Sequence, residues 1–388
     1  MYPTLYDLFL DLFGISLPLL KIVQSFGFCV AMAFLAAAWT LTIEMKRKEK
    51  LGVMGEIQIR KYWKGRPLAT SEYISSIAIG LVMGYKFLPL FTQFSQIVKN
   101  PQDYFLSFEG SILGAVVGAV LSGALKSWED KQQRLSIPEQ VEETIYPHQH
   151  IGTITIIAAI AGILGAKVFH NLENWGEFMA DPIDAIISFS GLSFYGGLII
   201  AAYFVIRYAR KNKIKLLAIC DANAPGLILA YGIGRIGCQV AGDGDWGIPN
   251  DNPKPDWLSW APDWMWAYNY PDNVLHLDLK KDFASMGLES ISGFAYPTPI
   301  YEMLMSFLIF GILWIIRKKI STPGMIFSIY LILIAIERLI IETIRINTTY
   351  NIFGHKITQA QLISVIMIAV GSFGIWYLRK YPKKLAEI

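Results

Sequence analysis

The chain has 388 residues, of which 54% are hydrophobic and 13% aromatic, and its mean hydropathy is +0.41. A soluble globular protein is excluded, because soluble domains are rarely so apolar and runs long enough to cross a bilayer recur throughout. The formal net charge of +3 favours no particular partner, and the spacing of the three cysteines suits neither a metal site nor a disulfide framework. The composition therefore predicts an all-α, polytopic integral membrane protein.

Nine apolar segments predict a single membrane domain, residues 1–388, built as a helical bundle with about nine transmembrane helices. In chain order the segments are Leu17–Ile43, Ile74–Phe94, Ser111–Leu125, Ile151–Phe169, Leu192–Ile206, Leu216–Ile236, Pro299–Ile316, Met325–Ile346 and Gln361–Leu378. The third and fifth are shorter than the ~20 residues that a crossing requires, and they depend on their flanking residues.

The charges of the loops predict how the chain is oriented. Residues 44–71 carry eight Lys or Arg residues and residues 207–215 carry five, whereas the alternate loops are acidic or nearly neutral. The positive-inside rule then places the N-terminus outside and the C-terminus in the cytoplasm. The long outer loop, residues 239–297, is rich in tryptophan and predicts a periplasmic lid that lies on the membrane–water interface.

Two stretches of the chain resemble each other. Pro101–Ser111 aligns without gaps to Pro182–Leu192 with five identical residues, and the same offset aligns Lys86 with Lys167. Residues 72–130 and 151–210 are therefore predicted to be repeated helical hairpins. Both copies run outward and back, so the repeat is parallel, unlike the inverted repeats common in transporters. This repeat is the one feature that supports a transporter.

An arginine in the sixth segment is the first candidate site residue. Arg235 lies in a glycine-rich run that ends in an acidic loop with Asp243 and Asp245. Because arginine keeps its charge, it needs an anion at the edge of the hydrocarbon layer. The alternatives are an anion-binding site at the membrane surface and a small-residue helix contact with Arg235 reaching to the interface.

The eighth segment carries a second group of charges. Arg338, Glu342 and Arg345 lie four and three residues apart, so one helix face would hold all three and Glu342 would bridge both arginines. Two arginines against one glutamate leave a spare positive charge, which favours an anionic ligand such as phosphate. A structural ion pair that fixes helix packing explains the pattern about equally well. Before the seventh segment, Tyr301 and Glu302 are predicted to lie in the first turn of a helix, with Tyr301 as an interfacial tyrosine.

Seven blocks of residues follow one another along the chain: Ser25–Gly27, Ala180–Ile199, Asp221–Pro225, Gly234–Gly247, Tyr296–Glu302, Arg338–Arg345 and Thr358–Ser364. Their order and their topology resemble the prolipoprotein diacylglyceryl transferase family. One block alone would be a weak signal, whereas seven in family order indicate homology. The resemblance covers most of the chain outside the first hairpin copy.

The resemblance implies the transfer of a diacylglyceryl group from phosphatidylglycerol to the lipobox cysteine thiol of prolipoproteins, with glycerol phosphate as the leaving group. It implies phosphatidylglycerol and prolipoprotein signal peptides as partners, no nucleic acid, no metal or other cofactor, and a multi-pass place in the bacterial inner membrane. Arg235 and Arg338 would hold the phosphate, Glu342 would orient Arg338, and Arg345 would support them.

Several positions depart from the family pattern. Tyr195 stands where the family usually has histidine, and Cys238, Ala241 and Asp243 replace two asparagines and a glutamate, with one extra residue before Trp246. The expected catalytic residues are Tyr195, Asp243, Arg338 and Glu342, and the expected lipid- or phosphate-binding residues are Arg235, Arg338, Arg345, Gly196, Gly197 and Gly247. Two interpretations stay open: a divergent transferase, and a relative that binds anionic lipid or lipoprotein precursors without turnover.

Overall fold

The structure, a computed structural model, describes residues 1–99, 101–187, 193–352 and 355–381. Its helices are α1 (Leu5–Phe13), α2 (Ser25–Lys50), α3 (Thr70–Phe87), α4 (Pro89–Thr92), α5 (Phe94–Ile97), α6 (Pro101–Leu106), α7 (Ile112–Gln133), α8 (Ile151–Glu173), α9 (Trp175–Ala180), α10 (Pro182–Ile187), α11 (Phe194–Lys211), α12 (Leu216–Ala241), α13 (Leu279–Ser285), α14 (Thr298–Ile316), α15 (Met325–Glu342) and α16 (Gln359–Lys380). They are accompanied by two two-stranded antiparallel sheets: β1 (Gln58–Lys64) pairs with β2 (Glu139–Ile145), and β3 (Thr349–Ile352) pairs with β4 (His355–Thr358). Short 3-10 helices lie at Pro18–Ile22, Pro147–His150, Asp256–Leu258 and Asp263–Met265.

The predicted class, an all-α polytopic membrane protein, is confirmed apart from the two small β-sheets. Within the described residues, seven helices are long and apolar enough to cross a membrane: α2, α3, α7, α8, α12, α14 and α16. The other two predicted spans correspond to α11 and α15, which have 18 residues each and carry three charged side chains each. The count of nine spans therefore stays a prediction.

The chain divides into two compact units, and the first comprises Met1–Gly55, His150–Thr155 and Ile206–Ile388. Helix α12 lies at its centre and packs against α2, α14 and α15, while α15 also packs along α16. Small residues allow this close packing: an added Cβ at Gly226 would meet Thr40 and the carbonyl oxygen of Ala37. Ile228, Leu313 and Ile326 are fully buried in the apolar core between these helices.

Buried ion pairs connect the helices at the end of this unit that is predicted to face the cytoplasm. Asp221 of α12 accepts hydrogen bonds from the amides of Gly324 and Phe327, at 2.8 and 2.9 Å, and pairs with the Lys48 ammonium at 3.2 Å. The carboxylate thereby caps the first turn of α15, which offers free backbone N–H groups and the positive end of its dipole. This contact explains the aspartate in the block Asp221–Pro225.

The second unit comprises Glu56–Gln149 and Ile156–Val205. Its helices α3 and α7 pack backbone to backbone, because Gly84 lies against the carbonyl group of Gly114. Helices α8 and α11 contact each other through Gly165 and Gly196 in a similar way. Such contacts between small residues are how membrane helices approach closely.

Each predicted hairpin copy also carries a six-residue helix that begins at a proline, namely α6 and α10. In the first copy the Lys86 ammonium donates hydrogen bonds to the carbonyl oxygens of Tyr104, Ser107 and Glu109, at 2.8, 2.5 and 2.8 Å. These bonds fix the connection between α3 and α7. Residues 188–192, which hold much of the second aligned block, lie outside the described residues, so the duplication itself stays a prediction.

Residues 242–296 form a folded segment between α12 and α14, which we call the cap. Trp246, Tyr270 and Phe283 are buried in a small core of its own. Trp257 and Trp260 are 71% and 76% exposed, so they are available for contact outside the cap. Their predicted position on the membrane–water interface stays a prediction.

Candidate functional site

Three guanidinium groups converge on one carboxylate in the first unit. Glu302 of α14 lies 2.9 Å from Nε of Arg235, 3.3 Å from Nη1 of Arg338 and 3.1 Å from Nη1 of Arg345. Arg235 comes from α12, Arg338 from α15 and Arg345 from the chain just beyond α15. The site is therefore assembled from three helices that are distant in sequence.

Glu302 is completely buried, so the guanidinium groups compensate a charge that would otherwise be very costly. The hydroxyl of Tyr231 also donates a hydrogen bond to Glu302, at 3.0 Å, and the Arg235 guanidinium lies over the Tyr231 ring. One turn of α12 thus carries both the arginine and the tyrosine that orients its partner. The arginine side chains are 14% to 22% exposed, so one edge of the cluster remains accessible.

A second carboxylate links two of the arginines. One oxygen of Asp245 contacts Nη1 of Arg235 and the other contacts Nη2 of Arg345. The backbone around it is held in place, because the Thr298 hydroxyl donates to the carbonyl oxygen of Asp245 at 2.5 Å and the Gly247 amide donates to Tyr296 at 2.9 Å. Asp245 therefore presents its carboxylate to both guanidinium groups from a fixed backbone.

The packing around residue 247 explains why it is a glycine. Its backbone forms a β-bridge with Arg345, and an added Cβ would meet the carbonyl oxygen of Ile344 and the side chain of Thr298. A glycine is needed here because the cap passes so close to the end of α15. The predicted role of Gly247 in lipid binding stays a prediction.

The two loop acids have opposite electrostatic environments. Burial raises the pKa of Asp243, and the neighbouring Asp245 charge adds to this effect. Burial also acts to raise the pKa of Asp245, but the guanidinium groups of Arg235 and Arg345 outweigh it and hold that pKa below its ordinary value. Asp245 is therefore the ionised partner of the arginines. Asp243, predicted to serve as the site carboxylate, accepts a hydrogen bond from the Asp245 amide at 3.4 Å, and its role in the chemistry stays a prediction.

The predicted bridge of Glu342 between two arginines is only half correct. Glu342 pairs with Arg338 at 3.0 Å, but its other oxygen accepts a hydrogen bond from Asn347 at 2.8 Å. Helix α15 ends at Glu342, so Arg345 is not at helical spacing and turns towards Glu302 and Asp245. The expected spare positive charge is also wrong, because three guanidinium groups meet three carboxylates, those of Asp245, Glu302 and Glu342.

Three of the predicted site residues lie on α11 in the other unit. Gly196 packs against Phe169 and the backbone of Gly165, while Gly197 packs against Gly162. These contacts give both glycines a role in helix packing. The part that Tyr195, Gly196 and Gly197 take in lipid binding or chemistry stays a prediction.

Glu302 and Asp245 belong to the site but are not among the site residues predicted from the sequence. The signal was present, since Glu302 is an acid within the apolar seventh segment, where an ionisable residue is costly. The two prolines before Glu302 indicate a helix start, which explains the sequence there without assigning the acid a partner.

One group of side chains has the composition of a metal site. The donor atoms of Cys238, Asp243 and Asp245 lie within 4.8 Å of one another. Two guanidinium groups already neutralise Asp245, and their charges oppose the binding of a cation there. The group therefore fits a cation poorly, and the expectation that no metal is needed stays a prediction.

Comparison with known proteins identifies the family. A sequence model described as prolipoprotein diacylglyceryl transferase matches residues 134–377, more than half of the chain.

Three similar proteins are named phosphatidylglycerol–prolipoprotein diacylglyceryl transferase. The one from Corynebacterium efficiens is 30% identical over 220 residues, which cover 55% of this chain and 64% of the relative. That from Corynebacterium diphtheriae is 29% identical over 240 residues (60% and 78%), and that from Clostridium tetani 28% over 229 residues (59% and 80%). The matched region contains all three arginines and both of the carboxylates that they share, and the chain belongs to the prolipoprotein diacylglyceryl transferase family.

Proposed function

We propose that the protein transfers the diacylglyceryl group of phosphatidylglycerol to the lipobox cysteine thiol of prolipoproteins. The convergence of Arg235, Arg338 and Arg345 on one partly accessible edge of the bundle is the observation that supports this function best. Planar guanidinium groups match the oxygens of a phosphate in pairs, and cations fixed in advance stabilise charge that grows on a leaving group. The names of the relatives supply the substrate class.

The proposed reaction is an alkyl transfer. The thiol sulfur forms a bond to the glyceryl carbon, the bond between that carbon and the phosphate oxygen breaks, and the phosphate leaves with the bonding electrons. The thiol proton is transferred away as the sulfur attacks, since the thiolate is the stronger nucleophile. The negative charge of the phosphate increases during this step, and the arginine cluster is the part of the chain that can stabilise it.

The proton acceptor is the part of the reaction that departs from the family pattern. Tyr195 stands in place of the usual histidine, and a tyrosine hydroxyl with an ordinary pKa near 10 accepts a proton poorly at neutral pH. Asp243 retains a carboxylate in the cap next to the site. We assign Arg235, Arg338 and Arg345 to the phosphate, Glu302 and Glu342 to their orientation, and Asp243 to the thiol proton, while the role of Tyr195 stays a prediction.

The test is a transfer assay with purified protein in phosphatidylglycerol vesicles, using a lipid labelled in its acyl chains and a lipobox peptide. We expect labelled peptide with the wild type and a loss of about 100-fold or more with Arg235→Ala or Arg338→Ala, the scale expected when a group that stabilises the transition state is removed. Arg60→Ala is the matched control, because Arg60 is exposed on β1. Full activity of both cluster variants would overturn the phosphate assignment.

The same assay separates the transferase from a relative without turnover. Replacement of the usual histidine by Tyr195 is the observation that favours the second interpretation. Binding of phosphatidylglycerol by the wild type, weakened by Arg235→Ala but without any labelled peptide, would support that interpretation. Transfer of label by the wild type would exclude it.

We further propose that the protein lies in the bacterial inner membrane with the cap on the periplasmic side and the C-terminus in the cytoplasm. The distribution of Lys and Arg over alternate loops supports this orientation. A cysteine introduced at Ser290 in the cap should react with a membrane-impermeant maleimide in intact spheroplasts, and one at Glu143 on β2 should react only after permeabilisation. The reverse pattern would contradict the proposed orientation.

A further inference from the structure

One carboxylate of the site is placed as a bound anion would be. Asp245 directs one oxygen to Arg235 on α12 and the other to Arg345 beyond α15. Two oxygens of a single anionic group that reach two guanidinium groups are also what a phosphate would provide. The space between Arg235 and Arg345 thus already holds an anion that belongs to the chain.

The Asp245 side chain can leave this position without rearrangement of the cap. Its side chain is 30% exposed, about twice as much as those of Arg235 and Arg345 at 14% each. The backbone stays anchored, because the carbonyl oxygen of Asp245 is bound by Thr298. Rotation of the side chain alone exposes the two guanidinium groups.

The charges of the cluster define what can replace Asp245. With Asp245 in place, three guanidinium groups face three carboxylates, and a second anion would meet little net attraction. With Asp245 turned away, one positive charge is uncompensated. A phosphodiester carries one negative charge, so its exchange for the carboxylate leaves the charge of the cluster unchanged.

We propose that Asp245 is an internal competitor of the lipid phosphate, displaced when the lipid binds between Arg235 and Arg345 and returning to help expel the phosphate product. This inference rests on the proposed function, and it adds a residue that sets the affinity of the site for anions. Asp245 acts through the two arginines, so it is a positioning residue rather than a catalytic one. It makes binding of both lipid and product weaker and product release faster.

The test is the affinity for glycerol phosphate, a soluble probe, measured by calorimetry with the full chain in nanodiscs. Asp245→Asn keeps the shape of the side chain and removes its charge, so we expect glycerol phosphate to bind about tenfold more tightly, the scale of a lost repulsion between partly exposed like charges. In the transfer assay the same variant should show a lower KM and a lower kcat, because the product leaves more slowly. A merely structural residue would not tighten binding when replaced.

Asp263→Asn is the matched control, since it removes one negative charge from the cap at a side chain that pairs with Lys254 and is 96% exposed. Its affinity for glycerol phosphate should change by less than about twofold, as is usual for an exposed pair. If Asp245→Asn does not fold, Asp245→Ser tests the same loss of charge. Equal or weaker binding of glycerol phosphate by the neutral variant, or no binding by either form, would overturn the proposal that Asp245 competes with the phosphate. Label transfer tests the proposed function separately from the binding measurement. Failure of the proposed function can therefore be distinguished from failure of the inference about Asp245.

Discussion

At the scale of single residues, Glu302 determines whether the cluster can exist. Its carboxylate contacts three guanidinium groups and the Tyr231 hydroxyl while it is completely buried. Without it, three guanidinium groups would share only the carboxylates of Asp245 and Glu342. Glu302 therefore contributes to stability as well as to the geometry of the site.

Glu302→Gln keeps the size of the side chain and removes its charge. We expect the free energy of unfolding to fall by about 3 kcal/mol, because loss of one partner leaves buried charges uncompensated. Thermal unfolding in detergent would measure this as a lower Tm, and Glu289→Gln in the exposed part of the cap serves as the control. An unchanged Tm for Glu302→Gln would mean that Asp245 and Glu342 suffice to compensate the arginines.

Glu337 is also a buried glutamate, but within the described part of the chain it lacks the partners that Glu302 has. It is 2% exposed, and neither of its carboxylate oxygens has a hydrogen-bond partner among the described residues. A buried polar group without a partner costs about 1–3 kcal/mol. Glu337→Met, which removes the polar atoms and keeps a side chain of similar length, should therefore raise the free energy of unfolding by about 1 kcal/mol.

The control for Glu337 is Glu337→Gln, whose amide would still lack partners and should stabilise less than methionine. Thermal unfolding of both variants in detergent gives the comparison. A lower Tm for Glu337→Met would indicate that the carboxyl group has a partner in the membrane-embedded protein, and that its burial is compensated.

The sequence predicts some residues of the site but not the contacts between them. Arg235, Arg338 and Arg345 were recognisable because a permanent charge in an apolar segment needs an anion. Which carboxylates they pair with was not recognisable, because Glu302 and Asp245 reach them from other elements and the end of α15 turns Arg345 away from Glu342. Helical spacing describes neighbours on one helix, and it contains no information on contacts made after the helix ends.

At the scale of elements, the start of α15 is specified by another helix. Asp221 of α12 accepts hydrogen bonds from two amides of the first turn of α15 and is only 1% exposed. The Lys48 ammonium of α2 balances its charge. The three helices are thus fixed relative to one another at the end opposite to the arginine cluster, which keeps Arg338 aligned with Glu302.

This arrangement predicts strong coupling between Lys48 and Asp221. Asp221→Asn should lower the free energy of unfolding by about 3 kcal/mol, because a buried ammonium group then lacks its partner. Lys48→Met should also destabilise, whereas the double variant should lose less than the sum by about 2 kcal/mol. Thermal unfolding of the four proteins in detergent gives this cycle, and additive losses would contradict the buried pair.

At the scale of the whole molecule, the class and the order of the helices were predictable from the sequence, since apolar length and loop charge follow from the bilayer. The compact fold of the cap was not predictable from the sequence, because its core depends on contacts between residues that are far apart in a loop. The family match begins at residue 134, just after α7 ends at Gln133. The hairpin α3–α7 therefore lies outside the region that defines the family.

The ends of this hairpin meet within its own unit. Strands β1 and β2 flank it with Lys64 opposite Glu139, and the Leu135 amide donates a hydrogen bond to the carbonyl oxygen of Gly65 at 3.2 Å. Replacement of residues 65–138 by Asn-Gly would connect the strands by a two-residue turn that suits an antiparallel hairpin. Because an even number of spans is removed, the orientation of the rest of the chain is unchanged.

We therefore expect the shortened protein to insert into the membrane and to elute as a single species in detergent. It should transfer label from phosphatidylglycerol to the lipobox peptide within about threefold of the full chain, because the hairpin lies outside the family match. Removal of α3 alone is the informative control, since it removes an odd number of spans and would place the arginine cluster on the wrong side of the membrane. Aggregation of the shortened protein, or loss of transfer in a form that still folds, would show that the hairpin takes part in the function. Transfer by the shortened protein would instead show that the chemistry does not require the hairpin α3–α7.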